Sequence, residues 1–212
     1  MFDANIFMVG IDKRATDPNA SFENVKHMIM TPVFESFKRI LIHEKVFKEL
    51  DTEAQKFVNS FLGKNVEIVS ESDLYGRDPR YTDIFNTISE HERVRYQRGQ
   101  SKNQGEVYSL AYAAYHNINF FSSKEIMVDV IAGEIEALQD ISIITFDVIM
   151  VISYLYYMKR HDISKNKALK AMYKRDGEDV IRRHALPGTL VEYIRVLGDN
   201  TLLLVKEKSE AE

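Results

Sequence analysis

The chain of 212 residues contains no cysteine. This excludes disulfide frameworks and thiolate metal sites, and with them the small secreted scaffolds and zinc fingers that depend on such bonds. Neither sign of charge is in large excess, because 28 Lys and Arg stand against 32 Asp and Glu. A net charge of -4 gives the chain as a whole no attraction for nucleic acid, so any such role has to depend on local patches.

The chain also lacks a good membrane-spanning run. Its one apolar stretch of near-membrane length, residues 141–157, contains Asp147, and an Asp at the centre of a bilayer costs about 3 kcal/mol. We predict a short buried strand before Asp147 and a buried helix from Val148 to Tyr157. The first residues do not combine a basic segment with an apolar run, as a signal peptide does. A cytoplasmic protein is therefore expected.

Hydrophobic residues make up 45% of the chain, which is enough to form the core of one large domain. Short apolar runs of strand type alternate with amphipathic helical stretches, a pattern typical of an α/β fold with a mostly parallel sheet covered by helices. In such sheets, ligands bind at the carboxyl ends of the strands. The predicted strands are the first residues, Arg39–His43, Val66–Val69, Ile118–Phe121 and Ile141–Phe146. The predicted helices include Glu44–Leu50, Thr52–Leu62 and Asp78–Arg98, and a further helix starts at Gly105.

The composition changes after Tyr157. Residues 159–183 hold nine Lys or Arg against four Asp or Glu. We therefore predict an α/β domain over residues 1–158 and a basic, mainly helical C-terminal extension over residues 159–212. Apolar residues within the extension, such as Leu169 and Met172, favour its packing on the main domain.

Three acids lie where predicted strands end or predicted helices begin. Asp3 follows the first apolar residues, and on an extended strand it would project on the same side as Asn5. Glu49 and Glu106 occupy similar places later in the chain. Each also has an ordinary interpretation, Asp3 as a capped acid and Glu106 as an acid that complements a helix dipole. His43, beside an apolar run, is interpreted as a packed histidine, and Glu44 as the acid that begins a helix.

The three acids belong to motifs that resemble those of PIN-domain nucleases, in the family's order. The motifs are Asp3-x-Asn5, Val46-x-x-Glu49-Leu50 and Gly105-Glu106-Val107-x-x-Leu110-Ala111-x-Ala113, and the resemblance covers about residues 1–155. It implies a three-layer α/β/α fold and hydrolysis of RNA phosphodiester bonds with Mg²⁺ or Mn²⁺. By the same resemblance Asp3, Glu49 and Glu106 are the catalytic metal ligands, and Asn5 orients them.

One segment departs from the family pattern. Where a further acid usually follows the fourth strand, this chain has Phe121-Ser122-Ser123-Lys124-Glu125. Ser122 or Ser123 could bind a metal through water or hold a phosphate. The departure leaves open a second interpretation, a PIN-like module without catalysis that binds RNA or another protein. A third interpretation is a phosphatase or other metal-dependent α/β hydrolase.

The resemblance also implies partners. RNA is the expected substrate, and the predicted phosphate contacts are Arg93, Arg95, Arg98, Lys102 and Lys124, although such basic runs are often only solvated surface. Family members often form homodimers, and some are toxins neutralised by a small antitoxin protein. A homodimer and an antitoxin-like partner are therefore further expectations, and no membrane partner is expected.

Overall fold

The computed structural model describes residues 1–3, 6–7, 30–72, 74–94, 104–123, 126–144, 149 and 153. The chain divides into two compact units, one made of Met1–Gly10 and Ile40–Thr145, the other of Ile11–Arg39 and Phe146–Glu212. In the second unit, helix α1 (Thr31–Ser36) has a proline in its first turn and buries Val33 and Phe34. The predicted extension over residues 159–212 lies outside the described residues, so the predicted division of the chain stays a prediction.

The first unit alternates strands and helices, as the sequence predicts for an α/β fold. Its strands are short and pair in parallel. None of the helices in the described ranges is long and apolar enough to cross a membrane. The elements are β1 (Ile40–His43), α2 (Glu44–Glu49), α3 (Thr52–Asn59), β2 (Val66–Val69), α4 (Pro79–Glu90), α5 (Gln104–Tyr115), β3 (Phe120–Ser122), α6 (Ile126–Glu134), a 3-10 turn (Glu136–Leu138) and β4 (Ser142–Ile144).

Phe2 links the two strand pairs. Strand β1 pairs with β2, and β3 pairs with β4. Phe2 makes parallel bridges to Ile42 on β1 and to Ser122 on β3. Its backbone N–H donates to the carbonyl of Leu41 at 2.8 Å, and the N–H of Ser122 donates to the carbonyl of Met1 at 2.8 Å. The order across the unit is therefore β2, β1, the segment at Phe2, β3, β4.

Local sequence explains where the helices begin and end. Asp51 and Asp78 begin α3 and α4, since their side chains accept the N–H groups of Ala54 at 2.8 Å and Tyr81 at 3.1 Å. Proline at the first position of α4 costs no hydrogen bond there. Asn117 follows α5 with φ 53°, a left-handed conformation that asparagine tolerates better than most residues.

Helix α5 lies at the centre of the packing in this unit. It packs against α4, α2 and β1. Leu110, Ala111 and Ala113 are fully buried in the core that it shares with Tyr81 and Ile88 of α4. The small alanines allow close approach of the neighbouring elements. This packing holds the first turn of α5, and thus Glu106, beside α2.

Two predicted elements are shorter than expected. The strand predicted for the first residues does not include Ile6 and Phe7, because both are helical and the N–H of Ile6 donates to the carbonyl of Asp3 at 3.1 Å. The helix predicted over Asp78–Arg98 is interrupted at His91, whose ψ of 134° is not helical, and helical residues resume at 92–94. The predicted strand Val66–Val69 is confirmed at both ends.

Candidate functional site

The carboxyl ends of the parallel strands gather polar side chains from distant parts of the sequence. From Phe2 the chain proceeds to β1 and β2 on one side, and later to β3 and β4 on the other. The strand order therefore reverses between Phe2 and β3. In open α/β sheets, this reversal opens the crevice in which ligands bind. Asp3 and Ser123 are the residues that follow these two strands.

Asp3 and Ser123 contact each other at this reversal. The hydroxyl of Ser123 donates to Oδ2 of Asp3 at 3.2 Å, although 120 residues separate them in sequence. Asp3 is fully buried and Ser123 is 1% exposed. The backbone N–H of Asp3 also donates to the carbonyl of Ser122 at 3.1 Å. A buried carboxylate is thus held in one orientation by a hydroxyl, which partly offsets the cost of its burial.

Ser122 has a different role from its neighbour. Its hydroxyl donates to the carbonyl of Ile144 on β4 at 2.8 Å. The alternation of side chains along a strand explains the difference, since adjacent residues point to opposite faces. Of the two predicted serines, Ser123 contacts the candidate acid, and the side chain of Ser122 stabilises the β3–β4 pair.

Glu49 contacts the start of helix α5. It is the last residue of α2, and its carboxylate accepts the backbone N–H of Gly105. A side chain at Gly105 would be tightly packed, because a Cβ there would lie 3.0 Å from Oε1 of Glu49 and 3.0 Å from Cγ2 of Val46. Partial burial raises the pKa of Glu49, and the N–H of Gly105 opposes this rise. Glu49 is therefore a more basic carboxylate than one in free solution.

Glu106 follows Gly105 in the first turn of α5. It is 5% exposed, so the structure buries this acid as it buries Asp3. Its place near the positive end of the helix dipole favours the ionised form. The two interpretations of Glu106, helix acid and metal ligand, are both compatible with this position.

The predicted site residues thus occur in two described groups, Asp3 with Ser123 and Glu49 with the start of α5. Over the described ranges, no group of three or more His, Cys, Asp or Glu side chains is arranged to hold a metal ion. Comparisons of the chain with protein-family models, with curated proteins and with solved structures give no match. Interpretation of this edge therefore depends on its own geometry.

Most predicted phosphate contacts fall outside the described residues. Arg93 is exposed after the end of α4. Asn5, Arg95, Arg98, Lys102 and Lys124 lie in segments that the structure does not describe. Their predicted roles stay predictions. Glu44, the alternative to Glu49, is paired with Lys48 at 2.9 Å on the surface of α2, which supports its interpretation as a helix-starting acid.

Sequence reasoning missed one buried pair at the same edge. Nε2 of His43, at the end of β1, lies 2.7 Å from Oε2 of Glu71, two residues after β2. His43 is fully buried, as expected for a packed histidine, and Glu71 is 7% exposed. The only signal that could have indicated the pair is the parallel register, which places His43 opposite Val69. Glu71 itself lies in a polar Ser-Glu-Ser segment without periodicity.

Proposed function

We propose that the first unit is a PIN-like metal-dependent ribonuclease with a three-layer α/β/α fold, and that RNA binds at the carboxyl edge beside Asp3. The observation that carries the proposal is the buried Asp3 carboxylate, held by Ser123 at the reversal of strand order. Burial of an acid costs free energy unless a partner or ligand offsets it, so a buried acid at the edge where open α/β sheets bind ligands is a candidate functional group. The order of the acids along the chain agrees with the resemblance to PIN nucleases.

The resemblance names the carboxylates of Asp3, Glu49 and Glu106 as metal ligands. Within the described part of the chain these three are not arranged as one metal-holding group, so we propose that the ion binds at Asp3. Their donor chemistry suits a hard cation, since Mg²⁺ and Mn²⁺ prefer oxygen ligands. Mg²⁺ is commonly held by only one or two carboxylates, together with waters and substrate phosphates, so a group of three acids is not required. When bound, such an ion polarises a phosphoryl oxygen and lowers the pKa of an attacking water.

The chain's own residues would prepare this chemistry. The hydroxyl of Ser123 donates to Oδ2 of Asp3 and so restricts the orientation of the carboxylate. The raised pKa of Glu49 makes it a better proton acceptor than an ordinary carboxylate. Both groups lie at strand or helix ends, which orient them more rigidly than a loop would.

A cleavage assay tests the proposal. Wild type, D3N and E44Q are incubated with single-stranded RNA and with single-stranded DNA in Mn²⁺ or Mg²⁺, with and without chelator. We expect metal-dependent RNA cleavage that D3N lowers by at least about 100-fold, more than the loss typical of a residue that only supports a metal ligand. E44Q, which removes a surface acid of helix α2 instead of a buried acid, serves as the control. Equal cleavage by wild type and D3N would refute the proposal.

The second candidate is a PIN-like RNA-binding or protein-interaction module without catalysis. The contact between Ser123 and Asp3 favours it, because a serine hydroxyl faces the first acid where the family has a further carboxylate. Calorimetry separates the two functions. A binding module should bind RNA equally well with or without chelator, whereas the nuclease should take up Mn²⁺ with heat that D3N abolishes. A homodimer and an antitoxin-like partner stay predictions of the resemblance.

A further inference from the structure

His43 connects three elements at the candidate site. It ends β1, and its Nδ1 accepts the backbone N–H of Lys45 at 3.2 Å, which caps helix α2. Its ring stacks on Tyr108 of α5, with centroids 5.8 Å apart and 21° between the planes. On its other side Nε2 faces Glu71 after β2. One buried ring thus contacts the start of α2, the segment after β2 and the middle of α5.

These contacts determine the position of the proton on the ring. Burial is the largest influence and lowers the pKa of His43, so the ring is neutral near neutral pH. A neutral imidazole carries one N–H, and Nδ1 accepts a hydrogen bond. We therefore assign the proton to Nε2, the nitrogen that lies 2.7 Å from the Glu71 carboxylate. The charge of Glu71 favours this tautomer, in which Nδ1 caps α2.

Helix α2 is only six residues long and is fixed at both ends against α5. At its start, the His43 ring packs on Tyr108 and lies edge-on to Tyr112, with centroids 6.0 Å apart. At its end, Glu49 accepts the N–H of Gly105. A helix this short has little stability of its own, so tertiary contacts place its end residue. Besides these two attachments, Val46 is fully buried and the side chain of Gln55 donates to the carbonyls of Phe47 and Leu50. A change in the contacts of His43 should therefore change the position of Glu49.

We propose that His43, held by Glu71, is a positioning residue that sets the placement of Glu49 through helix α2. The inference deepens the proposed nuclease function and rests on it for its catalytic consequence. Protonation of Nδ1 would remove the acceptor for Lys45 and break the cap. The titratable and charged groups that face the ring are Glu71 from the segment after β2, Glu44 and Lys45 from α2, and Tyr108 and Tyr112 from α5.

Nuclear magnetic resonance of the full chain tests the positioning without any activity. The amides of Lys45 and Gly105 and the ring nitrogens of His43 are followed from pH 8 to pH 5 in wild type, H43N, E71Q and H91Q. Asparagine keeps a capping acceptor but does not reach Glu71. H91Q is the matched control, since His91 also lies beside a glutamate, Glu134, at 3.0 Å.

In wild type, hydrogen-exchange protection of Lys45 should fall about fivefold as His43 becomes protonated, the loss expected for one helix cap. The Gly105 signal, which reports the position of Glu49, should shift at the same midpoint. E71Q should move that midpoint to lower pH, because the carboxylate that favours the imidazolium is gone. In H43N the change at the His43 midpoint should be absent from both amides, leaving at Gly105 only the titration of Glu49 itself, and H91Q should behave as wild type. The same midpoint in E71Q and wild type, or a Gly105 signal that ignores His43, would overturn the proposal.

RNA cleavage in Mn²⁺ is then measured over the same pH range. We expect an acid limb in wild type at the midpoint seen for Lys45, shifted to lower pH in E71Q and absent in H43N. If the two amides respond as expected and wild type cleaves no RNA, the nuclease function fails while the positioning of Glu49 stands. If all four proteins cleave RNA with the same pH profile, the prediction that His43 affects catalysis through Glu49 is wrong.

Discussion

At the scale of single residues, the contribution of the Ser123–Asp3 hydrogen bond to the free energy of unfolding can be predicted. Hydrogen bonds to charged groups contribute about 1.5–3 kcal/mol, and those between neutral groups about 0.5–1.5 kcal/mol. Ser123 donates to a buried carboxylate, whereas Ser122 donates to a backbone carbonyl. We expect S123A to lower the free energy of unfolding by about 2 kcal/mol and S122A by about 1 kcal/mol.

Urea denaturation at pH 7 measures both variants against wild type. The pair is well matched, since the two serines are adjacent and both are buried. A smaller loss for S123A than for S122A would show that Asp3 does not depend on this hydroxyl.

The charge of Glu49 should affect the pH dependence of folding stability in the direction opposite to that of most surface acids. Its pKa is raised above 4.5, chiefly by burial, so its charge disfavours the folded state at pH 7. E49Q should therefore be more stable than wild type at pH 7, by no more than about 1 kcal/mol because water screens this site. The difference should vanish as the pH falls through the raised pKa, where wild-type Glu49 gains its proton.

Glu44 provides the control of opposite sign. Its hydrogen bond to Lys48 lowers its pKa, so E44Q should be less stable than wild type at pH 7, and that difference should vanish at low pH. Thermal unfolding from pH 7 to pH 3 measures both variants. A destabilising E49Q at pH 7 would contradict the assignment of a burial cost to Glu49.

At the scale of elements, helices α2 and α5 pack closely at Gly105. An alanine at position 105 would place its methyl 3.0 Å from Val46, which is fully buried and cannot move away as a long side chain could. G105A should destabilise the fold by about 1–3 kcal/mol, the usual cost of overpacking. It should also displace the Glu49 carboxylate and lower any cleavage activity.

Gly133, in helix α6, is the natural comparison. Among the described residues, no atom outside the backbone of α6 lies within 4 Å of a Cβ built there, so G133A should stabilise the protein by about 0.5–1 kcal/mol through the helix propensity of alanine. Chemical denaturation of both variants checks the contrast. Equal effects of the two substitutions would mean that α5 can shift away from α2.

Element bounds followed from the sequence where one local signal dominates. The buried run Ile40–Ile42 and the strand Val66–Val69 are short apolar segments, and Asp78-Pro79 is a strong helix start. The prediction was wrong where two signals compete. Apolar residues continue after Asp3, yet Ile6 and Phe7 are helical, because short apolar runs are compatible with either a strand or a helix.

At the scale of the whole molecule, metal binding should increase the stability of the folded protein. A ligand that binds only the folded protein stabilises it by about 2.7 kcal/mol at a concentration 100 times its dissociation constant. We expect saturating Mn²⁺ to raise the melting temperature of wild type and of E44Q, and to leave D3N unchanged. Scanning calorimetry with and without chelator measures the shift. An equal rise in D3N would place the ion elsewhere on the protein.

The three candidate acids can be chosen from short local motifs. Asp3, Glu49 and Glu106 each stand out from their neighbours in sequence, and their order carries the resemblance to PIN nucleases, so their shared role stays a prediction. The contacts of Ser123 with Asp3 and of His43 with Glu71 are different in kind. They join residues 120 and 28 positions apart, and nothing in the local sequence of Ser123 or Glu71 specifies the partner. Such pairs follow only from strand order and register.

The bridges of Phe2 have a consequence for synthesis. Phe2 pairs with Ile42 on one side and with Ser122 on the other. During synthesis Ile42 is made first, and about 80 further residues must be added before Ser122 is present. At about 5–20 residues per second, translation would take roughly 4–16 s to supply that second neighbour. During this interval β1, β2 and Phe2 would present an unpaired edge, to which other nascent chains could add. Contacts of such long range also predict slow refolding in vitro.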